Sequence, residues 1–364
     1  MTVPGTADDN LPEQVRAILA DYFEARRKEA SPIGADFDSA LDALQGFVLG
    51  GGKRLRPTFA WWGWRGAGGR PDSAEARTVL RAISALELVQ AGALVHDDIM
   101  DASAVRRGSP TMHIAFAEQH RAEGMRGEPE RFGASAALLL GDVALAWADD
   151  LFFGAGLPEG AVARALPAWQ AMRSEMLAGQ YIDVLCQARG DESPDAAMRV
   201  NRFKTAAYTV ERPLHIGASL AGAGAELIAA YRNYGTEIGI AFQLRDDLLG
   251  MFGDPEVTGK PAGDDLREGK RTVLMALGIQ LAERAGRRAD LTLLRTSLGR
   301  PDLDTTTLDA VRTLLVEVGA VRAIEERIEE LTHAGLGALR IAPVAEPAAA
   351  RLAELALTAT RRDR

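Results

Sequence analysis

The chain is predicted to be all-α, a single large helical bundle. Three observations predict it. Apolar residues recur at helical spacing almost from end to end, strand-like alternation is nearly missing, and the joins between periodic stretches are mostly short and marked by glycine or proline. The 364 residues carry no fixed-period repeat and no composition break that would mark a linker. One domain over residues 11–364, after a mobile N-terminal stretch of residues 1–10, is the economical reading.

Taken in order, Leu11 to Ala30 reads as a helix on the stripe Val15, Ile18, Leu19, Tyr22 and Phe23, with Arg16, Asp21, Arg26 and Lys28 mostly elsewhere. Phe37, Leu41, Leu44 and Val48 continue with a second helix, stopped by Gly50-Gly51-Gly52. A third begins near Pro57. After the turn region Gly66–Ser73 comes a long helix through Ile83, Leu86, Leu88, Val89 and Leu94. Residues 117–133 are polar, charged and glycine-bearing, which predicts a loop or a short surface helix. Helical patterns then cover Ala136–Phe153, Glu159–Leu185, Asp195–Thr209, Leu214–Ala223, Ile228–Phe252, Leu274–Ala285, Leu308–Val318 and Val321–Leu331.

Composition narrows the function classes. Apolar residues make up 47% and charged residues 26%, ordinary for a globular protein, and a net charge of -9 disfavours nucleic acid or an anionic membrane as a default partner. Any anion site must be local. Cys186 alone forms no intrachain disulfide and no metal cluster, and is read as a buried thiol in a reducing compartment. Met1–Asn10 lack the basic start and apolar core of a secretory signal, and no stretch is read as a membrane span, so the expected location is the cytoplasm.

The stretch Leu94-Val95-His96-Asp97-Asp98-Ile99-Met100-Asp101 organises the rest. Asp97 and Asp101 stand four apart on a predicted helix, so both carboxylates project from one face. Two like charges placed so repel each other unless a cation sits between them. Mg²⁺ suits, since it takes one or two carboxylates and completes its octahedron with water and substrate phosphate oxygens. An exposed acidic turn is the plain alternative for such a motif taken alone.

Further elements change that balance. In Gly51-Gly52-Lys53-Arg54-Leu55-Arg56-Pro57, glycines let the backbone approach an anion, and Lys53 and Arg56 could aim at one place; the P-loop spacing is absent. Arg106-Arg107 follows just past Asp101, and Arg can grip phosphate bidentately. A second acidic element, Phe242-Gln243-Leu244-Arg245-Asp246-Asp247-Leu248-Leu249-Gly250, leads into a loop carrying Lys260 and Lys270. Between the two acidic elements lie Gly179-Gln180-Tyr181-Ile182-Asp183 and Phe203-Lys204-Thr205-Ala206, polar insertions in apolar helices.

Taken together these motifs resemble the trans-prenyl diphosphate synthases, most closely those that make geranylgeranyl diphosphate, over roughly residues 12–335. The resemblance implies the isoprenoid synthase type of bundle, built around a central apolar cavity, and a Mg²⁺-dependent condensation of isopentenyl diphosphate with dimethylallyl, geranyl or farnesyl diphosphate. It implies that Asp97 and Asp101, facing Asp246, hold Mg²⁺ on the allylic diphosphate, with Asp183 assisting through water. Arg106, Gln180, Lys204 and Lys260 would hold the same diphosphate, with Lys270 helping from the flap. Lys53, Arg56, Arg107 and Gln90 would hold isopentenyl diphosphate. Gln243, the Thr205 hydroxyl and the Lys204 carbonyl would turn dipoles toward the allylic cation. No general base is needed, because the departing diphosphate takes the proton, and His96 is a wall residue.

The family's second acidic motif often ends in another Asp where this chain has Gly250; Asp247, Asp254 or Asp264 would then have to support the metal. Ala93 and Gly92, four and five residues before Asp97, are small, which implies a tunnel floor near Val89 or Leu86 and a twenty-carbon product. Replacement of Gly92 by Phe is expected to shorten it. A homodimer is implied. The alternatives are a farnesyl or longer-chain synthase, a non-catalytic regulatory subunit of a heteromeric synthase, and a class I terpene cyclase. The cyclase would carry an Asn-Asp-x-x-Ser-x-x-x-Glu element and has no use for Lys53 and Arg56; the regulatory subunit usually lacks the first aspartate motif.

Overall fold

The computed structural model describes residues 7–254 and 262–361. Helices dominate the described residues, and the all-α expectation holds. In order they are α1 (Leu11–Ala30), α2 (Ala35–Leu49), α3 (Leu55–Gly66), α4 (Ala74–Met100), α5 (Met112–Ala122), α6 (Pro129–Phe153), α7 (Glu159–Arg189), α8 (Pro194–Val200), a π-helical segment Asn201–Glu211, α9 (Arg212–Leu220), α10 (Ala225–Phe252), α11 (Asp264–Glu268), α12 (Val273–Arg284), α13 (Arg288–Ser297), α14 (Thr305–Glu317), α15 (Ala320–Arg340) and α16 (Ala348–Thr360). One hairpin, Val105–Arg106 against Ser109–Pro110, is the only sheet among the described residues.

Several boundaries fall where side-chain chemistry puts them. Ser73 caps α4 by accepting from the Ala76 N–H, Ser193 caps α8 through Ala196, and Asp304 caps α14 through Thr307. The stretch 117–133 corrects the sequence reading, since α5 and α6 occupy most of it. Met112, Phe116 and His120 fall four apart and bury one face of α5, and the histidine in that stripe hid the helix. Gly124 and Gly127, with φ of 61° and 97°, make the turn to α6. Helices α13 and α16 went unread as well. The stripe of α16 is Ala348, Leu352, Ala356 and Ala359, too small in volume to announce itself.

Two apolar clusters form the interior. The larger draws on α1, α3, α4, α6, α7 and α9, where Trp61 packs on Trp64 and Phe152 stacks on Trp169 at 4.2 Å. The second is built by the C-terminal half of α10 with α12, α14 and α15. Helix α4 is also long and apolar enough to cross a membrane, with a mean hydropathy of 1.5 over an 18-residue window, which corrects the reading that no stretch is. Its place here is the core, with 72% of that window buried. Within the N-terminal stretch, Asp8 is tied down: it accepts from the Trp61 indole N–H at 2.8 Å and from Arg65 at 2.9 Å.

Candidate active site

Helix α4 delivers three acids to its own C-terminal end, Asp97, Asp98 and the capping residue Asp101, whose N–H donates to the Asp97 carbonyl at 2.9 Å. That end of a helix carries the partial negative charge of the aligned peptide dipoles, so carboxylates are disfavoured there unless cations answer them. In this structure protein cations do so. The Lys204 ammonium donates to Asp97 at 2.9 Å and to Asp183 of α7 at 2.7 Å. Gln180, one turn before Asp183, donates to Asp97 at 3.1 Å. Lys270, just past α11, lies 3.0 Å from Asp101, 2.7 Å from Glu268 and 3.4 Å from Asp265.

The electrostatic result is divided. Burial pushes the Asp97 carboxyl up, but Lys204 and Lys270 outweigh it and hold the group well below the usual carboxylate range. Asp101 shifts the other way. Burial raises it, Lys270 only partly offsets that, and Asp97 adds repulsion. Both ammonium groups are raised: burial opposes their charge, and the surrounding carboxylates more than restore it.

A cavity of about 770 Å³ joins these groups to the basic elements. Asp97, Arg106, Gln180, Asp183, Lys204, Thr205, Gln243, Asp246 and Lys270 line it, together with Lys53, Arg56, Gln90 and Arg107. Apolar wall comes from Leu55, Ala93, Leu94, Met176, Leu177 and Phe242. Of the residues singled out from sequence, Asp101 lies outside the lining, turned onto Lys270. Lys260 is outside the described residues.

Local backbone explains how each group arrives. Lys204 sits on the π-helical segment, pressed between two glycines. A Cβ on Gly179 of α7 would lie 2.3 Å from the Lys204 nitrogen, and one on Gly239 of α10 would lie 2.6 Å from the Ala206 Cα. Only glycine permits this approach, and π-helical turns, rare overall, occur frequently at functional sites. Arg107 occupies the hairpin turn with Gly108, at φ of 54° and 76°, a left-handed pair in which arginine is unusual. Its guanidinium reaches back to donate to the Gly51 carbonyl at 2.9 Å.

Arg106 grips Asp98 with Nε 2.8 Å and 2.9 Å from its two oxygens, and reaches Asp97 at 3.3 Å. Arg56 lies over the Tyr208 ring at 3.9 Å and donates to the Thr209 hydroxyl at 2.9 Å. The Gln243 amide nitrogen donates to Asp247 at 2.8 Å, and burial pushes Asp247 up to about 7.

Sequence reasoning passed over three features here. Asp98, one residue from a metal-ligand candidate and fully buried, orients Arg106. Arg54, also at a left-handed φ of 49°, is buried; it pairs with buried Glu87 at 2.5 Å and donates to the Val48 carbonyl at 2.8 Å. Asp265 reaches the cavity from α11. The charge of each was visible in sequence, but nothing local told which charges would be buried in pairs.

Gly92 corrects the chain-length reading. A Cβ there would meet Leu145 at 2.7 Å and the Gly141 carbonyl at 2.9 Å, so Gly92 faces α6 rather than the cavity, while its neighbour Ala93 lines it. His96 lines the wall as expected, its ring accommodated by Gly141 of α6 and its Nε2 3.1 Å from the Leu138 carbonyl.

The donor set fits a hard divalent cation. It is all carboxylate oxygen, and among the described residues no three acidic, His or Cys groups converge closely enough to hold an ion alone. Mg²⁺ takes one or two carboxylates and fills the remaining positions with water and phosphate oxygens, which such a site leaves open.

Known proteins place the arrangement. The family model for polyprenyl synthetase matches residues 38–307. The chain is 35% identical over 283 residues to the geranylfarnesyl diphosphate synthase of Aeropyrum pernix, covering 77% of this chain and 80% of that one. It is 33% identical over 278 residues to a geranylgeranyl diphosphate synthase of Mycobacterium tuberculosis, covering 75% and 73%. A crystal structure of geranylgeranyl pyrophosphate synthase from Corynebacterium glutamicum, complexed with isoprenyl diphosphate and magnesium, superposes with a TM-score of 0.94 at 46% identity over 98% of this chain and 99% of that one. With both acidic elements and the basic cluster on one cavity, the chain belongs to the polyprenyl synthetase family of trans-prenyltransferases.

Proposed function

We propose that the protein condenses isopentenyl diphosphate with an allylic diphosphate to give a linear all-trans prenyl diphosphate, the twenty-carbon geranylgeranyl diphosphate. The observation that carries this reading is one cavity whose lining combines both acidic elements, the basic residues Lys53, Arg56 and Arg107, and apolar wall. Two anionic substrates need two different grips, and a single-substrate cyclase needs one.

Asp97, Asp101, Asp183 and Asp246 would hold Mg²⁺, which supplies charge neutralisation to the diphosphate as it leaves. Lys204, Lys270 and Arg106 turn from the aspartates toward the same diphosphate, with Gln180 beside them. Lys53, Arg56, Arg107 and Gln90 bind isopentenyl diphosphate and hold its double bond against the allylic carbon. Thr205 and Gln243 present their dipoles to the cation formed when the carbon–oxygen bond breaks. The isopentenyl double bond attacks that cation, a new carbon–carbon bond forms, and the proton lost passes to the released diphosphate.

The small Ala93 leaves the wall open beside Leu94 and Met176, which supports growth to twenty carbons. Exposed Leu138 and Leu139 on α6 and Tyr181 on α7 leave apolar surface that a second copy of the chain would cover in a homodimer. The protein acts in the cytoplasm on this reading. Incubation of purified protein with Mg²⁺, labelled isopentenyl diphosphate and, in turn, dimethylallyl, geranyl or farnesyl diphosphate tests it. A dominant C20 diphosphate is expected. Absence of incorporation with every primer would overturn the enzymatic reading, and longer products would move the floor of the cavity deeper.

A further inference from the structure

Helix α10 presents Asp246 and Asp247 and then, one turn on, Gly250, where a third carboxylate would share their face. The space beside Gly250 is taken. A Cβ built on it falls 2.6 Å from Oδ2 of Asp265 and 3.5 Å from its carboxyl carbon, so a side chain at 250 and the present position of Asp265 exclude each other. The approach is anchored by backbone: the Gly263 N–H donates to the Gly250 carbonyl at 2.8 Å, and Gly263, at φ 78°, starts α11 immediately against α10. Asp265, Asp246, Asp247 and Gly250 all line the cavity.

We infer that Asp265 is the third acid of the second acidic element: it brings from α11 the carboxylate that α10 lacks at position 250, and it supports the divalent cation held by Asp246. This rests on the proposed function, since it assigns a residue to that reaction's metal site. Asp265 acts as a positioning residue, through the water and charge around the cation. Its carboxylate also lies 3.4 Å from Lys270 and is the foremost charge that holds that ammonium up, so it serves the lysine as well as the cation. Gly250 is therefore what makes the relocation possible, rather than a lost ligand.

The test counts metal instead of product. Mn²⁺ binding is followed by electron paramagnetic resonance in the presence of inorganic pyrophosphate for the parent chain, Asp265→Asn, Gly250→Asp and the double variant. Loss of an outer support to a metal is expected to weaken Mn²⁺ binding about 10–100-fold in Asp265→Asn. The double variant, with the carboxylate returned to α10, recovers most of that loss. Gly250→Asp alone gains nothing, since two carboxylates then compete for one space. Unchanged Mn²⁺ binding in Asp265→Asn, or no recovery in the double variant, overturns the inference. A parent chain that binds Mn²⁺ and pyrophosphate but never condenses substrates overturns the proposed function while leaving this one standing.

Discussion

Lys204 donates to Asp97 at 2.9 Å across 107 residues of sequence, and the same ammonium reaches Asp183 at 2.7 Å. One side chain on the π-helical segment thus ties the acidic end of α4 to the C-terminal part of α7. Removing its charge leaves two carboxylates in a largely buried site without their counterion. For Lys204→Met the metal-free protein is expected to lose about 3–5 kcal/mol, with much of it recovered in saturating Mg²⁺. Urea unfolding with a chelator and with Mg²⁺ checks this. An equal loss in both conditions would show that the metal and the lysine do not answer the same carboxylates.

The buried Arg54–Glu87 pair fixes the left-handed start of α3 from which Lys53 and Arg56 are presented. Lysine lacks the second fork that reaches the Val48 carbonyl, so Arg54→Lys is not conservative here. It is expected to raise KM for isopentenyl diphosphate about tenfold with little change in KM for the allylic primer, a shift of about 1.4 kcal/mol. Steady-state kinetics varying each substrate separately decides it. Equal effects on both would mean that the pair supports the fold generally.

Chain length offers a paired comparison. Ala93 lines the cavity, so Ala93→Phe is expected to shorten the dominant product to fifteen carbons or fewer. Gly92 packs on α6, so Gly92→Phe is expected to destabilise the protein by about 1–3 kcal/mol through overpacking. Product chromatography and thermal melts on the two variants read these separately. A shortened product from a stable Gly92→Phe protein would reverse the assignment.

Asp247 gives a pH dependence with a definite sign. Its carboxyl is pushed by burial from 3.8 to about 7, so between those values the folded state keeps a proton that the unfolded state has lost. Stability of the metal-free protein is therefore expected to fall as pH rises across that window, by up to about 1.4 kcal/mol per pH unit, and to level off above it. Asp247→Asn removes the dependence, and its advantage in Tm should grow from near pH 4 to near pH 7. A constant difference in Tm across that range would mean that Asp247 does not carry the buried proton.

The helices with large apolar stripes were legible in sequence. The α1 bounds, for instance, agree with the reading at both ends. Legibility failed where a stripe was made of small or titratable residues, as in α5 and α16, because hydrophobic periodicity weighs volume and misses them. The residues that line the cavity could be picked out as a set because their order along the chain resembles a known family. Their pairing was not. Nothing in the sequence says that Asp98 turns to Arg106, that Arg54 buries with Glu87, or that Asp101 and Asp97 part company. Those are decided by which neighbours the fold supplies, as is the direction in which Gly92 faces.

The carboxylates of Asp97, Asp101 and Asp183 already have ammonium partners in Lys204 and Lys270. On the proposed function, a divalent ion arriving there would take over those oxygens and leave the two lysines beside the cavity with charge to spare. Loading would then be an exchange of cations, and its by-product a stronger anion trap. Linkage makes the effect mutual: whatever factor a divalent ion adds to diphosphate affinity, diphosphate must add to the affinity for the ion. Neither ligand alone would bind as tightly as the two do together, so the protein should respond to the metal–diphosphate pair as one cooperative signal.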